Sequence, residues 1–194
     1  MSNCTSCTQL APISKADGGC KNVKNKLTDV RIYCCANIVE TQTATVTPDC
    51  PSGYISDLVS VDPVGLPTPL VAIEILNEDD VDETNDYTFD RATDTGEDTY
   101  AFNPLIKVLT PEHQCTLDSM KGQDVCIVYK IENKTGDYVW RRFKGKLSAI
   151  TGGLVNGYNL TFDTLNPDDA DKPLFVNIGG AAATETALDA LTQF

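Results

Sequence analysis

Two kinds of residue in this chain have types and spacings suited to chemistry: cysteines and clustered carboxylates. There are eight cysteines, and six of them, Cys4, Cys7, Cys20, Cys34, Cys35 and Cys50, fall in the first 50 residues, with Cys115 and Cys126 far downstream. Cys4-x-x-Cys7 has zinc-knuckle spacing, and Cys20 with Cys34 or Cys35 would complete four thiolates. A second C-x-x-C is missing, so the expectation is no bound metal. A secreted disulfide scaffold is another reading. The start, Met1-Ser-Asn-Cys-Thr-Ser-Cys, has neither the basic nor the apolar region of an export signal, so synthesis in a cytoplasm is expected. Reduced thiols, some of them buried as small hydrophobes, are the simplest reading.

The carboxylates concentrate in residues 77–98, with ten acids against the single base Arg91. Asp79-Asp-Val-Asp82-Glu-Thr-Asn-Asp86 is rich in oxygen ligands but lacks the central glycine and closing glutamate of a calcium-binding EF-hand. Neighbouring acids do not make a glycosidase, which needs two carboxylates facing each other across a cleft. The one histidine, His113, falls in the first turn of a predicted helix and reads as a surface residue. No G-x-S-x-G, H-E-x-x-H or P-loop occurs. Gly152-Gly153 lacks the lysine and following helix that phosphate binding needs, and reads as a hairpin turn. The sequence therefore predicts no catalytic, cofactor-binding or metal-ligating residues and no enzymatic activity.

The balance of charge points the same way. The net charge is −13, with 28 acids against 15 bases. Nucleic-acid affinity rests on clustered Lys and Arg that release counterions from phosphates, and that excess is absent. Acidity of this size suits a surface past which DNA slides without sticking. The only basic–aromatic cluster is Trp140-Arg-Arg-Phe-Lys144. It could stack on single strands. It reads better as a strand with one face in a core and the other against an acidic neighbour. No apolar run approaches the roughly 20 residues of a membrane span.

The elements that must carry these residues are mostly strands. Residues 1–26 are polar and without apolar period, and read as an N-terminal arm. Val30-Arg-Ile-Tyr-Cys-Cys35 is the first strand, with Val30, Ile32 and Cys34 on one face. Residues 40–69 hold five prolines and two glycines, which predicts a long loop with one short strand near Tyr54–Val61. Leu70–Leu76 alternates as a strand. Residues 77–98 read as an acidic loop insertion, with Tyr87-Thr-Phe89 as a short strand inside it. Thr99–Leu109 is a strand broken at Pro104. Thr110 and Pro111 open a helix that Gly122 stops. Val125–Ile131, Tyr138–Lys144 with Lys146–Thr151 (one strand or a pair kinked about Gly145) and Tyr158–Asp163 are close-spaced strands and must be antiparallel neighbours. Their predicted core is Trp140 or Val139, Phe143, Leu147, Leu160 and Phe162. Pro173–Val176 is a short strand, and 178–194 is a C-terminal arm or weak helix. The expected fold is mainly β: an antiparallel sandwich or barrel over residues 27–177, one packed helix, two arms and long loops.

In this order of elements the chain resembles the tail-tube-like structural proteins of phages of Bacteroidetes hosts. The residues that carry the resemblance are Gly18-Gly19-Cys-Lys with Val30-Arg-Ile-Tyr33, then Thr99–Leu109, Thr110–Lys121, the meander Val125–Lys146, Asn156-Gly-Tyr-Asn-Leu-Thr-Phe162 and Pro173–Val176. It covers about half the chain. The cysteine-rich start and the Pro-rich stretch 48–69 depart from the family pattern. The resemblance implies a virion protein made in the host cytoplasm, self-assembling into stacked rings, most simply hexameric, that pass phage DNA without specific binding and contact other tail or connector proteins. A connector, tail terminator or decoration protein stays open as an alternative, as does a carbohydrate- or surface-binding β-sandwich module. On the ring reading, part of the acidic stretch meets a basic strand or arm of a neighbour, drawn from Arg141, Arg142, Lys144 and Lys146 or from Lys21, Lys24 and Lys26, and salt weakens assembly.

Overall fold

The fold was described from a computed structural model. It describes residues 26–44, 53–61, 70–73, 82–90, 95–106, 115, 118–132, 136–153, 156–164 and 173–193. Cys4, Cys7, Cys20, Cys50, His113 and most of the predicted helix at 110–121 lie outside them. Cys115 and Asp118–Met120 are helical.

The domain is mainly β, a curled half-barrel sheet with one main helix. The strands are β1 (Lys26–Cys34), β2 (Ile38–Ala44), β3 (Gly53–Ser60), β4 (Leu70–Ile73), β5 (Asp82–Asp90), β6 (Thr95–Asn103), β7 (Leu105–Ile106), β8 (Asp124–Glu132), β9 (Tyr138–Gly153), β10 (Gly157–Asp163) and β11 (Leu174–Val176). Helix α1 (Ala181–Leu191) leads directly into β12 (Thr192–Gln193). The main path of the sheet runs β12-β4-β1-β8-β9-β10-β6-β5, and β11, β3 and β2 branch from β9.

The branch arises because β9 is 16 residues long. Its first half pairs with β11 through Trp140–Arg142, and its second half pairs with β10 from Lys146 to Gly153. Gly145 stands at the changeover. A Cβ there would lie 2.5 Å from both the Asp163 carbonyl oxygen and a ring carbon of Phe143, so only glycine lets β10 approach. Of the two forms the sequence left open here, one strand or a pair kinked about Gly145, the structure has the single continuous strand.

Because the sheet branches, the central strands are buried on both faces. On one face Val30, Ile32, Val125, Ile127, Tyr129, Phe143, Leu160, Phe162 and Phe102 make a core that β10 and β6 wrap around. The Phe102 and Tyr129 rings stack at 4.8 Å. On the other face Tyr33, Cys126, Val128, Trp140, Val176, Ile55, Leu58 and Ile38 make a second core, closed by Leu188 of α1. This explains why β8 reads as the apolar run Val125-Cys-Ile-Val-Tyr129 without alternation: Ile127 and Val128 are each fully buried, in opposite cores. Of the predicted core, Trp140, Phe143, Leu160 and Phe162 are buried and Leu147 partly so, whereas Val139 is 46% exposed.

Two expected loops contain regular hairpins. β2 pairs antiparallel with β3, so strand structure begins before the prolines of this stretch, which start at Pro48. β5 pairs antiparallel with β6 over nine rungs from Asp82↔Asn103 to Asp90↔Thr95. Acidic and Thr-rich strands lack the apolar alternation that marks a strand in sequence, so pairing partners rather than local pattern define them. The C-terminal segment is part of the domain. Thr184 and Leu188 are fully buried, and β12 pairs with β4 in parallel.

Candidate functional site

The most concentrated polar chemistry among the described residues is a network inside the second core. Arg31 on β1, Val128 on β8 and Arg142 on β9 occupy one cross-strand row. Both arginines are buried, at 2% and 1% exposure. A buried charge is tolerable only when paired, and each arginine has a different partner. Arg142 Nη2 donates to Glu40 Oε2 at 2.8 Å, and Tyr33 Oη donates to Glu40 Oε1 at 2.7 Å. Burial, together with the charge and hydrogen bond of Glu40, holds the Tyr33 phenol well above its ordinary pKa; Arg142 works against this.

Arg31 donates to Asp29 and Asp189, each at 2.8 Å, and to Thr192 Oγ1 at 2.9 Å. Its guanidinium lies 5.0 Å from the Trp140 ring centroid. Burial works against the charge of Arg31, but the hydrogen bonds and charges of Asp29 and Asp189 prevail and raise its pKa. Glu185 on the same helix accepts from Tyr138 at 2.7 Å and from Lys130 at 3.0 Å. The Tyr138 hydrogen bond leads in holding that carboxyl below its ordinary pKa. These contacts fasten α1 to the sheet. They link β2 to β9 and β1 to the C-terminus, and they hold each carboxylate and base against a partner inside the fold. The network is structural.

The cysteines resolve in part. Cys35, in the 3-10 turn between β1 and β2, is joined to Cys126 on β8 by a disulfide, with Cα atoms 5.3 Å apart. Cys34 and Cys115 are free. This departs from the reduced-thiol reading for this one pair. Tertiary contact made it, since the two residues are 91 positions apart in sequence. No group of three or more metal-ligating side chains occurs among the described residues. Reducing this bond is expected to cost about 2–4 kcal/mol, which for a chain of this size lowers Tm by roughly 5–15 °C. Calorimetry with and without reductant, using the C35S/C126S variant as the reductant-insensitive control, checks this.

Compared with family models, with curated proteins and with solved structures, the chain has no match in any of the three. What the protein does must then be argued from its own surface. That surface has two unusual features. One is the β5–β6 hairpin, joined to β10 at Ala101 and Phe102, with Thr164 N donating to the Tyr100 carbonyl beside them. The other is a group of exposed valines on β2–β3: Val39 at 57%, Val59 at 48% and, just past β3, Val61 at 58%. Val39 and Val59 are direct cross-strand partners. Three of the bases that the sequence offered to a neighbour have contacts within the subunit. Arg142 is taken by Glu40, Lys146 lies 3.4 Å from Asp124, and Arg141 sits over the Phe175 ring at 5.1 Å. Glu40 was not legible as a partner: it sits in a Thr-rich run with no local sign that it turns inward.

Proposed function

We propose that this chain is a virion structural protein, a phage tail tube subunit that self-assembles into stacked rings around a DNA-conducting channel. The observation that carries this reading is the β5–β6 hairpin. Two-stranded ribbons are marginally stable alone in water, yet this one extends nine rungs and is anchored to the body at one end, through Tyr100–Phe102. An element of that kind is explained by contact with a neighbouring subunit. Its acidity, within the net −9 of residues 77–98, suits a lumen past which a polyanion moves without binding. The two-core body behind it supplies a rigid frame, and the polar cluster inside that body holds the frame together.

Negative-stain microscopy of the purified full chain tests the proposal, with rings or tubes as the expected result. A strict monomer that binds polysaccharide would favour the surface-binding module instead. Salt dependence is informative as well. With Arg142 held inside the subunit by Glu40 and Lys146 already beside Asp124 at the surface, chains of charge −13 chiefly repel one another. Screening contracts to about 3 Å at 1 M salt, so added salt is expected to favour assembly in a sedimentation series. Assembly that salt weakens would instead point to acid–base pairs between neighbours.

A further inference from the structure

Among the described strands β2, β5, β7 and β12 pair on one side only, and β7, like β12, is two residues long. They differ in what they can accept. Strands as short as β7 and β12 offer almost no template. β5 reads Asp82-Glu-Thr-Asn-Asp-Tyr-Thr-Phe-Asp90, with four acids in nine residues. Two copies of β5 laid together would set carboxylates against carboxylates. Like charges opposite one another destabilise a ladder, and a charged edge is a common defence against self-pairing.

β2 is the complement. It reads Ile38-Val-Glu-Thr-Gln-Thr-Ala44. Its only charge, Glu40, is turned to the interior, held there by Arg142 and Tyr33. Val39, Thr41, Gln42 and Thr43 are exposed and uncharged. The valines at 39, 59 and 61 leave apolar surface beside that edge. The two edges also match in length, seven residues against nine. With Glu40 held inside the subunit, β2 itself presents no exposed charge, and the exposed Asp57 lies across from Thr41 on β3.

We propose that β5 of one subunit adds to the open edge of β2 in a second copy of the chain, continuing the sheet head to tail between subunits. The contact uses two different patches of one surface, so it is heterologous and closes into a ring if the rotation allows. Main-chain hydrogen bonds supply the attraction, as in other strand additions. The charge pattern supplies direction by forbidding β5–β5 pairing. This rests on the ring-forming reading above and names its interface.

The test uses the full chain with Thr41→Glu and Thr41→Lys, one exposed β2 position given either sign. Thr41 lies across from the exposed Asp57 on β3, so T41E should stay folded but melt slightly lower than the wild type and T41K at or slightly above it. T41E sets a carboxylate against β5 and should raise the protein concentration needed for assembly about fivefold or more; T41K should leave it unchanged or lower it. Hydrogen exchange should slow in residues 38–44 and 82–90 together on assembly. Rings that form equally well in T41E and T41K, with β2 amides exchanging as in the free subunit, would overturn the β5–β2 contact while leaving the tube reading intact. A wild-type chain that stays monomeric at every concentration would overturn both.

Discussion

Replacing Glu40 by alanine is expected to destabilise the protein by about 3–5 kcal/mol, the range for breaking a buried ion pair by removing one partner. Arg142 is 1% exposed, and Glu40 accepts its Nη2. Among the described residues the rest of the guanidinium finds no compensation: its Nε and Nη1 are buried without a partner. Truncating Glu40 leaves a buried charge and strips the Tyr33 hydroxyl of its acceptor in the same step. The same imperfect pairing gives a second expectation. Replacing all three polar groups, as Y33F/E40L/R142M, should be near neutral or stabilising, because desolvation of the pair is then no longer required. Urea unfolding of both variants checks this. A Glu40→Ala loss under about 1 kcal/mol would show that Arg142 finds water or another acceptor. The pair would then not be a buried one in solution.

Phe162→Ala is expected to cost about 3–5 kcal/mol and to lower Tm by roughly 10 °C. Phe162 is fully buried, lies directly across from Phe102 on β6 and pairs with Leu147 on β9. Its ring sits where β9, β10 and β6 converge on the first core. Removing it opens a cavity that three paired strands resist closing. Phe162→Leu should cost much less, since most of the volume is kept. An unchanged melting temperature for the alanine variant would mean that β10 is out of register, because a one-residue slip would turn position 162 to solvent.

Strands with a clear local pattern are legible in the sequence alone. In β10, Tyr158, Leu160 and Phe162 alternate with polar residues, and the latter two are fully buried as the alternation requires. The break at Pro104 and the turn at Gly152–Gly157 follow from the backbone preferences of proline and glycine, which act within a few residues. The mainly β character with one main helix follows from the same local signals.

Strands without apolar alternation are not legible in this way. β2, and β5 apart from Tyr87–Phe89, look like loops because their residues are polar, and their partners β3 and β6 make them strands. The branching of the sheet at β9 is equally hidden. The sequence does not say that β11 and β10 share its edge, and only the approach of Asp163 to Gly145 reveals why that glycine is there. The absence of a catalytic constellation could be proposed from residue types alone. The Arg142–Glu40–Tyr33 cluster could not, because its members are separated by up to 109 positions and converge only when the sheet curls. The Cys35–Cys126 bond is of the same kind. Residue type and short spacing determined which segments with a clear alternating pattern could be strands. Which edges remained open, which charges turned inward and which thiols met were decided by long-range pairing, because those contacts depend on strand order and curl rather than on local pattern.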